Sequence, residues 1–327
     1  MKFENVAEEW FEIKMLGKSF DYKRSVQNAI DRTNDKIGNL GIASIKPKDV
    51  DKIINSLAER NKTTGLPAGK ETIKRTIQVI RAIFDFANEN EYCNNNPAKN
   101  KKAPRYAPTK KRRALTDEEK NLIISTKHRA QLPAMIMMFA GLRRGEVIAL
   151  KWSDIDFENS SISVDKTATK IETNKFFIKC ATKNGKTRRV FMPAVLRDYL
   201  IEQKRQATSV IMTTDAGGHM HTPTTWRQMW KSYQNEMNYQ CCKEHRSKFD
   251  PNGTPRVLDN ITPHMLRHTC ATMLWSAGVD VKTAARQLGH SDTKTTIEIY
   301  THLESEKEMM SIDGLDVYLS KKFSQRC

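Results

Sequence analysis

Residues 133–156 read PAMIMMFAGLRRGEVIALKWSDID and divide into two parts of opposite character. The first ten residues carry no charge and include three Met, which is typical of a helix buried on all sides. Gly141 then allows a turn, and two arginines and a glutamate follow. We therefore predict a buried helix that leads through a turn into a second helix, with the charged residues at the junction.

Downstream of this junction the sequence predicts both short strands and helices. Four stretches have the composition of short strands: residues 161–164, 176–178, 179–182 and 188–192. The last two flank Asn184-Gly185, which is a strong hairpin signal. Helical patterns resume over residues 194–206, 225–239, 264–277 and 281–288, and around residues 295–302. This part is predicted to be mostly helical with a small antiparallel β-sheet.

Upstream of the junction the sequence predicts a basic helical domain. Apolar residues recur at three-four spacing over residues 6–16, 22–37, 47–60 and 70–91. Closer to the junction, Thr116 with Glu119 three residues later predicts a capping box that opens another helix. Helices therefore dominate this side as well.

Residues 101–113, KKAPRYAPTKKRR, separate the two parts. They contain two prolines, no acidic residue and seven cations: Lys101, Lys102, Arg105, Lys110, Lys111, Arg112 and Arg113. Such a run is either a solvated linker or an extended strap along a phosphate backbone, and the two interpretations are compatible. We predict a basic helical domain over residues 1–100, a basic linker over 101–113, and a second domain over 114–327.

The composition indicates a polyanionic partner. The 327 residues include 55 Lys and Arg against 38 Asp and Glu, a formal net charge of +17. That balance suits nucleic acid or an acidic membrane surface. No stretch approaches the roughly 20 apolar residues of a membrane span, and the acidic start lacks the basic n-region of a signal peptide. We expect a cytoplasmic protein that does not enter the membrane.

The six cysteines form no C-x-x-C pair and no regular framework, which suits a reducing compartment. Cys241 and Cys242, with His245, His219 and His221, have the residue types of a zinc site. A polar loop that merely contains thiols and imidazoles is the plainer interpretation, and we predict no metal.

Several motifs of nucleotide and metal enzymes are missing from the sequence. It has no G-x-x-x-x-G-K-[ST] loop, no G-x-G-x-x-G fingerprint and no H-E-x-x-H helix. Carboxylate clusters of the kind that hold two metal ions are not evident either. An enzyme of this composition that acts on phosphodiesters must therefore neutralise the charge of the transition state with its own cations.

Compact polar motifs follow one another along the second part of the chain. They are G-L-R-x-x-E at 141–146, T-K-N-G at 182–185, H-x-L-R-H-T at 264–269, L-G-H-S at 288–291 and I-Y-T-H at 299–302. Alone, each has a bland explanation: Arg143 would pair with Glu146 at the surface, and Tyr300 would lie in the core. In this order they resemble the tyrosine recombinase, or phage integrase, family, most of all the integrases of phages and conjugative transposons.

The resemblance implies a fold and a set of site residues. The first domain would be a SAM-like helical core-binding bundle and the second a mixed α/β catalytic domain, so the fold is mainly α with a small antiparallel β-sheet. The catalytic positions of the family fall on Arg143, Lys183, His264, Arg267, His290 and Tyr300. Glu146 and His268 match supporting residues that stand behind them.

The implied roles divide the chemistry among these residues. Arg143 and Arg267 would hold the non-bridging oxygens of the scissile phosphate, a task that suits the planar, permanently charged guanidinium. Tyr300 would be the nucleophile that forms a 3′-phosphotyrosyl link. Lys183 would protonate the leaving 5′ oxygen, and His264 would assist proton transfer.

His290 would contact the phosphate and Glu146 would buttress Arg143. Because the covalent link preserves the energy of the broken phosphodiester, resealing needs no ATP, and the cations of the protein take the place of a metal. The resemblance therefore implies an enzyme without cofactors.

The resemblance also implies partners. These are double-stranded DNA at core-type recombination sites, further copies of the chain (a dimer on one site, a tetramer in the synapse), and an excisionase or a host DNA-bending protein. Such an enzyme would act at the bacterial nucleoid. The tail, residues 303–327, would dock on a neighbouring protomer or on its own domain.

Two departures from the family pattern accompany this resemblance. The helical pattern begins almost at Met1, so the separate arm-binding domain of many integrases is not expected here, unless the chain is truncated. Residues 241–259 look like an elaboration of the compact pattern. Two other functions stay open: an Xer-like, resolvase-type or relaxing enzyme of the same chemistry, and a catalytically silent DNA-binding protein. Every expected catalytic position is filled, which argues against silence.

Overall fold

The computed structural model describes residues 1–59, 65–109, 113–180, 187–243, 254–290, 292–301 and 303–304. The chain divides into two compact units, Met1–Lys111 and Arg112–Cys327, here called the N-terminal and C-terminal units. Within the described ranges, no helix has both the length and the apolar character needed to cross a membrane.

Helices make up the described part of the N-terminal unit. They are α1 (Phe3–Lys14), α2 (Phe20–Ile37), α3 (Pro47–Glu59) and α4 (Lys70–Glu89), with a 3-10 turn at Ile42–Ser44. All four correspond to predicted helices. The apolar residues predicted to recur along α4 include Ile73, Ile80, Ile83 and Phe84. All four are fully buried, because three-four spacing places their side chains on one helix face.

Residues 101–109 of the basic segment lie on the N-terminal unit. Arg81 of α4 donates to the carbonyl oxygens of Ala98 and Lys101, at 3.3 and 3.0 Å. The ammonium of Lys101 lies 2.6 Å from the carboxylate of Asp51. Ala107 is buried in the core of the unit. Residues 101–109 are therefore anchored on helices of this unit.

The C-terminal unit is also mainly helical. Its helices are α5 (Asp117–Ser125), α6 (Gln131–Phe139), α7 (Arg144–Ala149), α8 (Ala194–Arg205), α9 (Pro223–Cys241), α10 (Pro263–Ser276) and α11 (Val281–Leu288), followed by helical residues 294–301. The predicted buried helix is α6, most of whose side chains are inaccessible to solvent. The predicted capping box is confirmed, since Thr116 and Glu119 each accept from the backbone N–H of the other.

The strands form two small antiparallel sheets. One contains β1 (Ile155–Asp156), β2 (Ser161–Val164) and β5 (Arg188–Phe191), and the other contains β3 (Lys166–Glu172) and β4 (Lys175–Cys180). The predicted hairpin between residues 179–182 and 188–192 is wrong: β4 pairs with β3, and β5 pairs with β2. Asn184-Gly185 itself lies outside the described residues. Val190 of β5 lies opposite Ile162 of β2, and both side chains are buried in the main core, whereas Lys179 and Cys180 at the end of β4 are exposed.

Two glycines fit the charged junction tightly into the C-terminal unit. Gly141 has φ +70°, and a Cβ there would lie 2.7 Å from Leu288 Cδ2. A Cβ on Gly145 would lie 2.6 Å from the carbonyl oxygen of Ala168 on β3. Side chains at these two positions would push the junction away from α11 and from β3, so glycine fixes its place.

Candidate active site

Glu146, in the first turn of α7, is the centre of a cluster of charged side chains. Its carboxylate is buried and accepts two hydrogen bonds from Arg188, both at 2.8 Å. Arg143, just before α7, donates its backbone N–H at 2.8 Å and Nη1 at 3.0 Å. Burial raises the pKa of Glu146, but the hydrogen bonds and charge of Arg188, followed by those of Arg143, hold it below its usual value. Glu146 is therefore an ionised, saturated acceptor.

The guanidinium of Arg143 bridges this cluster to the end of α11. Its Nη2 donates to the carbonyl oxygen of Gly289 at 2.5 Å, yet 44% of the side chain stays exposed. The alternative of a simple surface salt bridge is wrong, because the Glu146 side chain is only 2% exposed. Arg143 is thus fixed by Glu146 and Gly289, while part of its side chain is exposed to solvent.

Arg267 on α10 is almost completely buried. Its Nη1 donates to the carbonyl oxygen of Gly141 at 2.6 Å. Its Nη2 has no hydrogen-bond partner among the described residues. Burial, and next the charge of Arg143, lower the pKa of Arg267 to about 9. Burying a cation with an unpaired donor costs free energy unless an anion binds to that donor. The geometry of Arg267 is therefore typical of an anion-binding site.

His290 follows Gly289, which ends α11 in the left-handed conformation at φ +65°. The Nδ1 atom lies 2.8 Å from Thr296 Oγ1. Burial, then the charges of Arg267, Arg143 and His264, lower the pKa of His290 to about 4. His290 is therefore a neutral imidazole at neutral pH, close to both arginines, while His264 is exposed at the start of α10.

Tyr300 lies on the helical residues 294–301 and is buried. Its hydroxyl donates to the carbonyl oxygen of Val279 at 3.1 Å. Burial, then the charges of Asp280 and Cys270, raise the pKa of Tyr300 to about 12. In this arrangement the phenol is protonated and engaged, so it must leave Val279 and lose its proton before it can act as a nucleophile.

Arg188 on β5 was not predicted as a site residue. The structure places it between Glu146 and Gly289, where a Cβ on Gly289 would lie 2.6 Å from Arg188 Cζ. One signal in the sequence could have identified it. Strand alternation puts Arg188 on the same face as the buried Val190, and an arginine on a core-facing position requires a buried partner.

The remaining predicted residues differ in their surroundings. Lys183, Lys110, Lys111 and Arg112 lie outside the described residues. Arg113 donates to both carboxylate oxygens of Glu119, at 2.6 and 2.7 Å, and Lys101 pairs with Asp51. Lys102 and Arg105 are exposed, and His268 is half-buried on α10.

The cysteine and histidine residues weighed as a zinc site have separate environments. His221 is buried with its ring 5.4 Å from that of Trp226, Cys242 is buried, and Cys241 is exposed. His245 is outside the described residues. In the part of the chain that the structure describes, no three His, Cys, Asp or Glu side chains are grouped to hold a metal.

Comparison with known proteins relates this geometry to a family. Residues 110–307 match the Phage integrase family, and residues 3–103 match the Phage integrase central domain. A tyrosine recombinase XerC-like protein of Caldanaerobacter subterraneus is 26% identical over 86% of this chain and 74% of its own length. The ICEBs1 integrase of Bacillus subtilis is 29% identical over 77% of this chain and 67% of its own length.

Solved structures share the fold. The Tn1549 transposon integrase, in complex with a circular intermediate DNA, has a TM-score of 0.75 at 20% identity, covering 95% of this chain and 99% of that one. A lambda integrase dimer bound to a core site has a TM-score of 0.67 at 16% identity, covering 92% and 95%. At these low identities, the two TM-scores show a shared fold.

Proposed function

The chain belongs to the phage integrase family of tyrosine recombinases, which cut and rejoin DNA strands, and on this premise we propose that its Glu146 cluster and Tyr300 form the cleavage site. Arg143 and Arg267 hold the two non-bridging oxygens of the scissile phosphate. One arginine enters from α7 and the other from α10, so that the phosphate lies between the two helices.

The reaction is a transesterification. The Tyr300 oxygen attacks phosphorus, the P–O5′ bond breaks, and the 5′ oxygen leaves with a proton as a hydroxyl. A second 5′ hydroxyl reverses these steps on the 3′-phosphotyrosyl link and releases Tyr300. No bond energy is lost to water, so the strands rejoin without ATP.

The proton transfers fall to two histidines and a lysine. His264 lies at the exposed start of α10 and assists removal of the Tyr300 proton, as the resemblance implies. His290 is uncharged at neutral pH, so its ring can donate a hydrogen bond to the phosphate without adding a charge. Lys183 delivers the proton to the leaving 5′ oxygen, as the resemblance implies.

One observation carries this proposal: the unused Nη2 donor of the buried Arg267 beside the half-exposed Arg143. An uncompensated buried cation is expensive, and a folded protein retains one where a ligand supplies the missing charge. A tetrahedral phosphate carries that charge and accepts from two guanidinium groups at once.

The proposal extends to partners. Duplex DNA is the substrate, in agreement with the excess of 17 positive charges. The Tn1549 and lambda integrases, whose fold this chain shares, are bound to DNA in their structures, the latter as a dimer. We propose a dimer on each site, a tetramer during strand exchange, and action at the bacterial nucleoid to integrate or excise a mobile element, with an excisionase or bending protein as a further partner.

A nicked suicide duplex tests the proposal, because loss of the short 5′ fragment traps the covalent complex. The full chain should form a protease-sensitive adduct on DNA that carries its target site, and peptide mapping should place it on Tyr300. Tyr300→Phe removes only the hydroxyl and should bind DNA without forming an adduct. An undiminished adduct with Tyr300→Phe would place the nucleophile elsewhere, and binding without any adduct would support a silent DNA-binding protein.

A further inference from the structure

Arg188 contacts the same carboxylate as Arg143, but it is largely shielded from solvent. Its side chain is only 15% exposed, and both terminal nitrogens are used on Glu146. The structure assigns Arg188 as a positioning residue: it occupies the Glu146 carboxylate so that Arg143 keeps its open face for phosphate. This inference rests on the proposed function of Arg143.

The hydrogen bonds at Glu146 show how this works. A carboxylate has about four lone-pair sites, and here they receive two bonds from Arg188 and two from Arg143. Without Arg188, half of these sites would be empty in a buried environment. Because an arginine fork matches a carboxylate bidentately, Glu146 would then draw the remaining donors of Arg143 toward itself.

The charges lead to the same conclusion. Arg143, Arg188 and Arg267 set three positive charges against the single negative charge of Glu146, and all three influence His290. With Arg188 removed, the negative charge of Glu146 would cancel more of the positive potential that the other arginines produce at the phosphate. Arg188 therefore preserves the field of the site as well as the geometry of Arg143.

Contacts within the fold keep Arg188 in place. It pairs with Val164 across β2 and β5, and its guanidinium lies against the backbone of Gly289. Two residues from Gly289, the Gln287 side chain exchanges two hydrogen bonds of 2.8 Å with the backbone of Phe191 on β5. The strand and the end of α11 are thus joined at two points, and Arg188 sits at one of them.

A double-mutant cycle tests this role, with cleavage of the suicide duplex under single-turnover conditions as the measurement. Arg188→Met should slow cleavage by about 10- to 100-fold, less than the loss of a direct phosphate donor. In a Glu146→Gln background the same change should cost less than about threefold, because the carboxylate that needs occupying is gone. Arg189→Met, one residue along β5 and 70% exposed, is the matched control and should cleave like the wild type.

The pH profile separates positioning from a structural role. Removal of Arg188 takes away the main influence that lowers the pKa of Glu146, so this carboxyl group should protonate more readily. Once neutral, it no longer draws in Arg143. The ratio of the Arg188→Met rate to the wild-type rate should therefore rise as the pH falls, and it should stay flat in the Glu146→Gln background.

Two results would overturn the inference: wild-type cleavage by Arg188→Met, or an equal loss with and without Glu146. If Arg188→Met does not fold, Arg188→Lys takes its place, since it keeps the charge with a single donor group and should lose less activity. Absence of an adduct from the wild-type chain itself would contradict the proposed function instead, so the two failures are distinguishable.

Discussion

Two buried carboxylates of the C-terminal unit, Glu119 and Glu146, lie in the same local motif. Each stands at the third position of a helix, α5 or α7, and accepts from the backbone N–H of the residue before that helix, at 3.0 and 2.8 Å. Each also receives a bidentate arginine, Arg113 or Arg188. Both have a pKa below the usual range of a glutamate.

The two clusters differ in the residue that precedes the helix. Before α5 it is Thr116, whose hydroxyl is used in the capping box, and the remaining partner is Asp259, 3.1 Å from Arg113. Before α7 it is Arg143, which adds a second guanidinium, and Arg267 lies close by with an unused donor. The first cluster is closed among its own residues, whereas the second is open to a ligand.

The residue before the helix therefore distinguishes a capping motif that only stabilises the fold from one that is open to a ligand. Both carboxylates stabilise a helix start, and the same hydrogen-bond pattern performs that task in each. Of the two clusters, the one around Glu146 has an unused cationic donor, Nη2 of Arg267, and we propose that a phosphate accepts from it. Variants of the Glu146 cluster should therefore lose cleavage activity, whereas variants of the Glu119 cluster should lose stability.

The largest expected effect is on cleavage by Arg143→Lys. Lysine keeps the charge but loses the planar fork, so we expect DNA affinity near the wild-type value and cleavage reduced by roughly 10²–10³. The matched control, Arg113→Lys, changes the same residue type in the closed cluster and should leave single-turnover cleavage unchanged. Equal losses in the two variants would abolish the distinction between the clusters.

A smaller effect is expected on stability from Glu119→Gln. This change leaves Arg113 with a weaker partner, and we expect a loss of about 2 kcal/mol in the free energy of unfolding, because Arg113 is partly solvated. The melting temperature of the C-terminal unit should fall by roughly 4–8 °C, measured calorimetrically at neutral pH. Cleavage below that temperature should persist.

The same variant has a pH signature. The hydrogen bonds of Arg113 hold the folded-state pKa of Glu119 below its usual value of 4.5. Its stabilisation is therefore complete above that value and disappears as the pH falls through the folded-state pKa. The difference in stability between wild type and Glu119→Gln should shrink below about pH 4.5. A constant difference down to strong acid would contradict an ionised, paired Glu119.

The smallest effect concerns the basic segment, where paired and exposed cations can be compared in the same way. Lys102 and Arg105 are exposed, whereas Lys101 is paired with Asp51. If the segment follows the DNA backbone, replacing Lys102 and Arg105 with Gln should flatten the slope of log K against log salt by about 1.8. Lys101→Gln should change the slope by less than about half of one contact. Identical slopes in all three proteins would mean that the described segment is merely solvated.

Local sequence signals predicted most of the fold. Three-four spacing identified α1 to α4, and the Thr116–Glu119 pair gave the start of α5. The pairing of strands was not predictable in the same way, because it depends on which strand already lines the core. β3 went unpredicted, since its alternation of polar and apolar residues is weak over KTATKIE.

For the site, resemblance supplied Arg143, Arg267, His264, His290 and Tyr300, and in the structure the charges of the first three all act on His290. Arg188 was missed because strand alternation on β5 indicates only that Arg188 needs a buried partner, and it does not identify Glu146, 42 residues earlier, as that partner. The contact of the Tyr300 hydroxyl with Val279 was equally beyond the sequence, since it depends on how two turns pack.

We propose that the arginines of the Glu146 cluster supply the positive charge that stabilises the transition state of cleavage. The most direct test is the single-turnover rate of adduct formation on a suicide duplex in excess EDTA, beside the same reaction with Mg²⁺. We predict equal rates in the two conditions for the wild type, and the same large loss in both for Arg143→Lys. Loss of the adduct in EDTA, with recovery on addition of Mg²⁺, would contradict the claim.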